Sequence, residues 1–472
     1  MSTKKSIALL TLALVVSGCA SINPQQGFDE VSSDVEQRLG SRVYWYTGSE
    51  EDAQVQQAIQ NLLEQPLTVD SAVQIALLNN QSLQAEYANL GISQADLVQA
   101  GLLKNPVLEI TRLKPRKSDE PDDALDIDLR FEFLDILLIP LKKKVAAQDY
   151  EAAKRRVTAA VLDHAASTRK AFYAVQTARQ MENMFGEIRA SAAAALETAN
   201  RLHKIGNISD GAFDNFRLSD QESQLTLAEA SLASSATREQ LNQMMGVTGK
   251  DTKWDLNGGL APIPIEKIDL GNIEQRAIDN SLDLAILKHE VEAIAQRAGI
   301  ENVKSIINDF EAGYVWDREP SGEWNDGPKI EFRVPIFDLG FARRARVKAQ
   351  MQQIKSRYQA QMIAIQTNAR MLADRLRANR EIVEQYVDII LPLNRSIKDY
   401  ALLNYNAMQI DVFKLLRAHE KQVVAYQRFV NALGNYWMAR ADLETLLSGR
   451  SIALAAMSGP AVNMGGGNEG GH

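Results

Sequence analysis

The chain has 472 residues, 45% of them hydrophobic and 24% charged, so it can bury a substantial core and is not disordered overall. The formal net charge is −8, and no basic cluster is large enough to overturn that balance, which argues against a nucleic-acid partner. A single cysteine, Cys19, excludes a disulfide within the chain.

The N-terminus reads as a signal peptide over residues 1–18. Lys4 and Lys5 precede a short apolar stretch, Ile7 to Val16, too short to cross a hydrocarbon layer of ~30 Å as a helix. The ending Val16-Ser17-Gly18-Cys19 resembles the bacterial lipoprotein box. That resemblance implies cleavage before Cys19 and lipidation of it. Ala20 and Ser21 follow in place of an aspartate, which favours delivery to the outer membrane. No later apolar run is long enough to predict a transmembrane helix.

Residues 19–66 form a polar lead-in. Asn23 to Gly27 reads as an extended linker, and two short amphipathic stretches follow, Val31 to Leu39 and Val55 to Leu63. Thr68 is placed to N-cap a helix that runs to about Leu103 and is ended by Asn105-Pro106. Val107 to Leu113 is strand-like, and Pro115 to Ala124 is a charged loop. From Leu125 to Phe133 apolar and charged residues alternate at every step, the period of a strand with one apolar and one wet face. The first hairpin is thus placed at 107–139. A long helix is predicted over 142–204, with an apolar seam of Val157, Val161, Thr168, Phe172 and Val175. A two-glycine turn, Ile205 to Gly211, leads into a return helix from about Ala212 to Met245, closed by Gly246.

After a linker at 247–268 the pattern repeats over 269–449. Ala76-Leu77-Leu78-Asn79 is answered by Ala277-Ile278-Asp279-Asn280, and Leu83 by Leu284, both at an offset of 201. Glu109, Val145 and Gln148 are answered by Glu311, Val347 and Gln350 at 202, and Phe213 by Phe413 at 200. Near-constant offset over so long a span marks a tandem duplication, with the first repeat at 67–246. The second hairpin is placed at 310–336, with strands Phe310 to Asp317 and Lys329 to Val334. The loop between them holds Pro320, Gly322, Gly327 and Pro328. Phe341 to Asn404 reads as one helix, a rod of roughly 95 Å, with a kink or break expected at Pro392. A rod of that length needs partner helices along it. The glycine-rich tail, 450–472, is read as flexible.

Catalytic constellations are missing from the sequence. It has no Gly-x-Ser-x-Gly, no His-Glu-x-x-His and no phosphate loop, and its histidines fall singly on predicted helices. This is not the pattern of an enzyme, and no cofactor or resident metal is expected. Met457, Met464 and His472 in the tail are of the type that binds soft metal ions, or are simply part of a flexible tail. The charged strand positions carry the stronger signal. Asp126, Asp128, Arg130, Glu132, Glu331 and Arg333 are expected to line a water-filled barrel, with Ile127, Leu129, Phe131, Phe133, Tyr314 and Trp316 toward lipid. Four strands cannot close a transmembrane barrel, so several copies must each donate four.

The duplicated plan resembles the TolC-like outer-membrane efflux proteins, in particular their lipid-anchored branch. The most specific pieces are Leu103-Lys104-Asn105-Pro106 and Val334-Pro335-Ile336-Phe337-Asp338-Leu339-Gly340; Ile139-Pro140-Leu141 answers the latter loosely in the first half. The resemblance spans roughly 67–449. It implies a mainly α fold with a small membrane β part. Long helical hairpins would form a trimeric α-barrel tunnel, with four strands per protomer in a shared twelve-stranded β-barrel. It implies a channel in the outer membrane, with a large periplasmic part and lipid around the barrel. It further implies a homotrimer meeting a periplasmic adaptor and an inner-membrane pump through the tips, here Gly206, Asn207 and Ser209, and Asn406 and Gln409. Asn406 would answer Gly206 as the left-handed tip residue. Asp411 matches the first of two acidic positions that narrow the family's closed pore, while Lys414 stands near the second; Asp411 is also placed to cap the following helix. A periplasmic structural coiled-coil lipoprotein and the outer-membrane component of a type I protein secretion system are the alternatives. Drugs, metal ions and proteins all stay open as cargo.

Overall fold

The computed structural model describes residues 24–114, 123–256, 258–307, 309–334 and 336–451. Cys19 with the signal region, Pro335, and Met457, Met464 and His472 of the tail lie outside the described residues. In chain order come α1 (Pro24–Leu39), α2 (Glu51–Leu63), α3 (Val69–Asn79), α4 (Gln81–Gly101), β1 (Val107–Leu113), β2 (Ala124–Glu132), α5 (Phe133–Lys204) and α6 (Asp210–Met245). Then follow α7 (Ile273–Asn280), α8 (Leu282–Ile306), β3 (Phe310–Arg318), β4 (Trp324–Phe332), α9 (Phe341–Gln385), α10 (Leu391–Asn406) and α11 (Val412–Leu447). The chain divides into two compact units. One comprises residues up to 31, 86–157 and 284–360, and the other 32–85, 158–283 and 361 onward.

The first unit holds an antiparallel sheet in the order β1-β2-β3-β4. Ile127 pairs with Ile110 and Trp316, and Asp128 with Glu109 and Val315, so each face runs across all four strands. Gly313 lies where a Cβ would come within 2.2 Å of the Leu129 carbonyl oxygen, so only glycine permits that approach of β3 to β2. The second strand ends earlier than the alternation suggests. Phe133 opens α5, and residues 133–139, expected in the hairpin, are helical, the helix continuing through Pro140. A proline inside a helix costs one main-chain bond and about 3 kcal/mol. The turn holds because Leu134 and Leu138 are buried one turn apart, and Asp135 is bound by Lys104 at 2.9 Å and Lys142 at 2.8 Å. β4 also differs from expectation. It spans Trp324–Phe332 and includes Gly327 and Pro328, which were expected in the loop between the strands. β4 is an outer strand of the sheet, where a residue without an N–H is tolerated. Pro24 to Gly27, expected in an extended linker, are helical instead; α1 already begins at Pro24, and Phe28 packs edge-on against Tyr87 at 5.1 Å.

The second unit has its core where α3 meets α5 and α6. Leu67, Ile75, Ala76, Phe172, Val175, Leu241, Met245 and Trp254 are buried together. Residues 247–268 are more than a connection. Trp254 is buried, its Nε1 donates to Asn242 Oδ1 at 2.7 Å, and the Arg238 guanidinium lies 3.8 Å over its ring. The single helix expected from Thr68 to Leu103 is two helices, α3 and α4, broken at Asn80. Asn80 takes an extended conformation, its Oδ1 accepts from Ser82 N at 2.8 Å, and its Nδ2 donates to Met244 O at 3.0 Å. The second repeat breaks at the matching position, Ser281. Both breaks rest on the end of a return helix. Asn79 Nδ2 donates to Gly246 O at 2.8 Å, and Asn280 Nδ2 to Leu447 O at 3.0 Å.

The long second-repeat helix changes character ahead of Pro392. A π-helical turn, Tyr386–Ile390, separates α9 from α10, and Leu391 N donates to Tyr386 O. Pro392 has no N–H for the carbonyl one turn back, and the wider turn relieves the crowding of its ring. On α6, Leu218, Leu225 and Leu232 stand seven residues apart and are all exposed. That is a heptad-spaced stripe left largely uncovered by the described residues.

Candidate functional site

Strand alternation and register sort the sheet into two faces. One carries Leu108, Ile110, Ile127, Leu129, Phe131, Tyr314, Trp316, Ile330 and Phe332, with a single acid, Asp326, beside Trp316 and accepting from the Tyr314 hydroxyl. At its hairpin-loop end, in the last register row, lie Arg112, Leu125, Arg318 and Trp324. An apolar band ending in aromatic and cationic residues is the pattern of a lipid-facing barrel surface.

The opposite face is wet. Asp126, Asp128, Arg130 and Glu132 share it with Glu109, Glu311, Asp317, Lys329 and Glu331, seven acids against two bases, a formal −5. Asp128 is buried; its Oδ2 accepts from Lys329 Nζ at 2.7 Å and lies 3.6 Å from Arg130 Nε. Arg130 also bonds Glu109 Oε2 at 2.6 Å. The pair of bases thus ties three strands together by side chains. Glu132, the last residue of β2, is bound by Lys104. Arg333 falls one residue past β4 and its Nε lies 3.5 Å from Asp309, outside the strand in which it was expected. Sequence reading missed Glu109, Glu311, Asp317 and Lys329. The first three sit at alternating positions and were legible from period two; Lys329 required the true extent of β4.

Each pair of long helices turns at a tight tip. At the first, α5 ends with Gly206 at φ +74, Gly206 N donates to His203 O, and Asn207 N reaches back to Leu202 O, both at 2.9 Å. Ser209 caps α6 through Ala212 N at 3.3 Å. His203 Nε2 lies 2.7 Å from Asp210 Oδ1 while its ring stacks on Phe213 at 4.7 Å. The second tip repeats this geometry two residues later than expected. Met408 N donates to Tyr405 O and Gln409 N to Asn404 O, both at 2.9 Å. Met408, at φ +55 and 93% exposed, therefore takes the left-handed position, and Asn406 is the last helical residue. The reason is that α10 runs on through Asn406, which sets Ile410 opposite Ile208 and Asp411 opposite Ser209, an offset of 202 where the Phe213–Phe413 pairing gave 200. Asp411 caps α11, accepting from Lys414 N at 2.8 Å.

Two further histidines have structural partners. His164 is half-buried with Nε2 2.8 Å from Met244 O; burial pushes its pKa down, and the carbonyl offsets this only in part. His289 Nδ1 lies 2.8 Å from Gln148 Oε1. Among the described residues no group of three or more histidines, cysteines or carboxylates is placed to hold a metal ion, and no helix is long and apolar enough to cross a membrane.

No family model matches the chain. In sequence it is similar to the cobalt-zinc-cadmium resistance protein CzcC of Cupriavidus metallidurans, 21% identical over 81% of this chain and 90% of that protein. In structure it is similar to the Campylobacter jejuni CmeC outer membrane channel, with a TM-score of 0.66 and 15% identity over 81% of this chain and 85% of that one. It is likewise similar to the open state of the Neisseria gonorrhoeae MtrE outer membrane channel, with a TM-score of 0.67 and 15% identity over 82% and 91% of the two chains.

Proposed function

We propose that this TolC-like outer-membrane efflux protein is the exit duct of a tripartite efflux system, passing substrate from a periplasmic adaptor and an inner-membrane pump to the outside. The observation that carries the reading is the four-stranded sheet with one apolar and one charged face. Its outer strands, β1 and β4, have no further strand beside them among the described residues. Lipid does not tolerate such an open edge. Three copies close it into a barrel of twelve strands, within the range of known transmembrane barrels. The exposed heptad Leu218, Leu225 and Leu232 supports the same assembly, since it offers a neighbouring copy a knobs-into-holes seam. Cys19 carries the lipid anchor. The chain itself supplies no energy; it is a passive conduit driven from the pump.

The turns around Gly206, Asn207 and Ser209, and around Met408 and Gln409, are the surfaces that meet the adaptor. Asp411 both caps its helix and places a carboxylate at the second tip, where three copies form an acidic ring. The cargo is divalent metal cations. Two things support this: the resistance named for the relative from C. metallidurans, and the acid excess on the wet face of the sheet. Removing the protein from its host should raise cell-associated zinc, cobalt and cadmium and lower tolerance to them. The wild-type chain should restore tolerance, and a chain lacking 310–334 should not. Unchanged metal tolerance together with new sensitivity to organic drugs would overturn the cargo assignment.

A further inference from the structure

We infer that the ends of α5 and α9 nearest the sheet form a belt that binds anionic phospholipid headgroups of the periplasm-facing leaflet. The inference rests on the barrel reading above. The apolar face of the sheet does not stop at the last strand residue. Phe133, the first residue of α5, packs its ring on Phe310 at 6.2 Å and is exposed on its other side. Leu137 follows one turn on and is also exposed. In the second repeat Phe337 is fully exposed and Leu339 nearly half so. An apolar cuff therefore continues the membrane face beyond the strands.

Cations follow the cuff at one spacing in both repeats. Lys144 lies seven residues after Leu137, and Arg346 seven after Leu339, an offset of 202 in each case. Lys143, Lys144 and Arg346 are exposed, and no acid lies within ion-pair distance of them among the described residues. The nearby acids are already taken, Asp135 by Lys142 at 2.8 Å and Asp338 by Arg343 at 3.0 Å. From Leu137 to Lys144 seven helical residues span about 10 Å, and side chains on a helix lean toward its N-terminus, here toward the sheet. With Leu137 at the hydrocarbon edge, the ammonium of Lys144 snorkels back into a headgroup zone about 5–8 Å deep. Free cations at that depth, below an apolar cuff, fit phosphate groups of anionic lipid.

The test uses the full-length protein in bilayers of phosphatidylethanolamine with one-fifth phosphatidylglycerol. After gentle extraction, the lipid retained by the protein is weighed against the bulk by mass spectrometry. Wild type should retain phosphatidylglycerol enriched at least threefold, falling to the bulk ratio at 0.5 M salt. The variant K143E/K144E/R346E should show no enrichment, and K355E/R357E, whose cations are exposed but farther along α9, should behave as wild type. If the charge-reversed chain fails to insert, K143Q/K144Q/R346Q replaces it with the same expected loss. Equal enrichment in wild type and either triple variant overturns the belt, as does a wild type with no enrichment. Failure of the barrel reading is separate: wild type would not float with vesicles of any composition.

Discussion

Asp411 does two jobs at once in this account, and two substitutions separate them. Its Oδ1 accepts from Lys414 N at 2.8 Å at the start of α11. Loss of an N-cap costs about 1 kcal/mol, a factor of about 5 in local opening. Its charge adds a favourable term of about 0.3–1 kcal/mol at the helix N-terminus, which salt screens. Asp411→Ala removes both. Asp411→Asn keeps the cap, since asparagine is as good an N-cap, and removes only the charge. Amide hydrogen exchange at Lys414 should therefore quicken about ten- to thirtyfold in Asp411→Ala and only about two- to fivefold in Asp411→Asn. Single-channel recording then reads the ring. If three carboxylates narrow the tip, both variants should give longer or larger openings. Openings prolonged only in Asp411→Ala would assign the closed state to the cap and refute the acidic ring. Unchanged exchange at Lys414 in Asp411→Ala would refute the capping argument itself.

Three further outcomes follow from the packing. Gly313→Ala places a methyl group 2.2 Å from the Leu129 carbonyl oxygen, so β2 and β3 must part; the heat-resistant trimer on mild gels should be lost while helical circular dichroism is kept. Leu225→Glu puts a charge in the exposed α6 heptad, and sedimentation should show trimers giving way to monomers without loss of monomer folding. Burial holds the pKa of His164 below its ordinary value, so the unfolded chain binds the proton more readily. Its contribution to stability is complete above the unfolded value near 6.5 and declines as pH falls from there toward the lowered folded value. His164→Gln should flatten that fall in a denaturation series from pH 7.5 to 5; an unchanged slope would remove His164 as its source.

Much of the fold is legible in the sequence because its elements are long and strongly periodic. The alternation of Leu125 to Phe131 separates the two sheet faces, and the offset near 201 brings the repeats into line. What escaped has local physical causes. Asn80 breaks a helix with no proline or glycine to mark it, because its side chain supplies the main-chain partners itself. Pro140 looked like a boundary but sits in a helix held by two buried leucines. Gly327 and Pro328 read as part of the loop, yet belong to a strand at the sheet's edge. Met408 adopts a left-handed conformation that no methionine advertises; the two main-chain bonds that close the tip impose it.

The most direct test of the central claim is conductance of the purified protein in planar bilayers under a tenfold salt gradient. Discrete trimer-sized steps are expected, with a reversal potential of cation-selective sign set by seven acids against two bases on the wet face of each sheet. Folded trimers that give no steps in wild type and in Asp411→Ala alike, with hairpins unprotected by lipid, would contradict that claim.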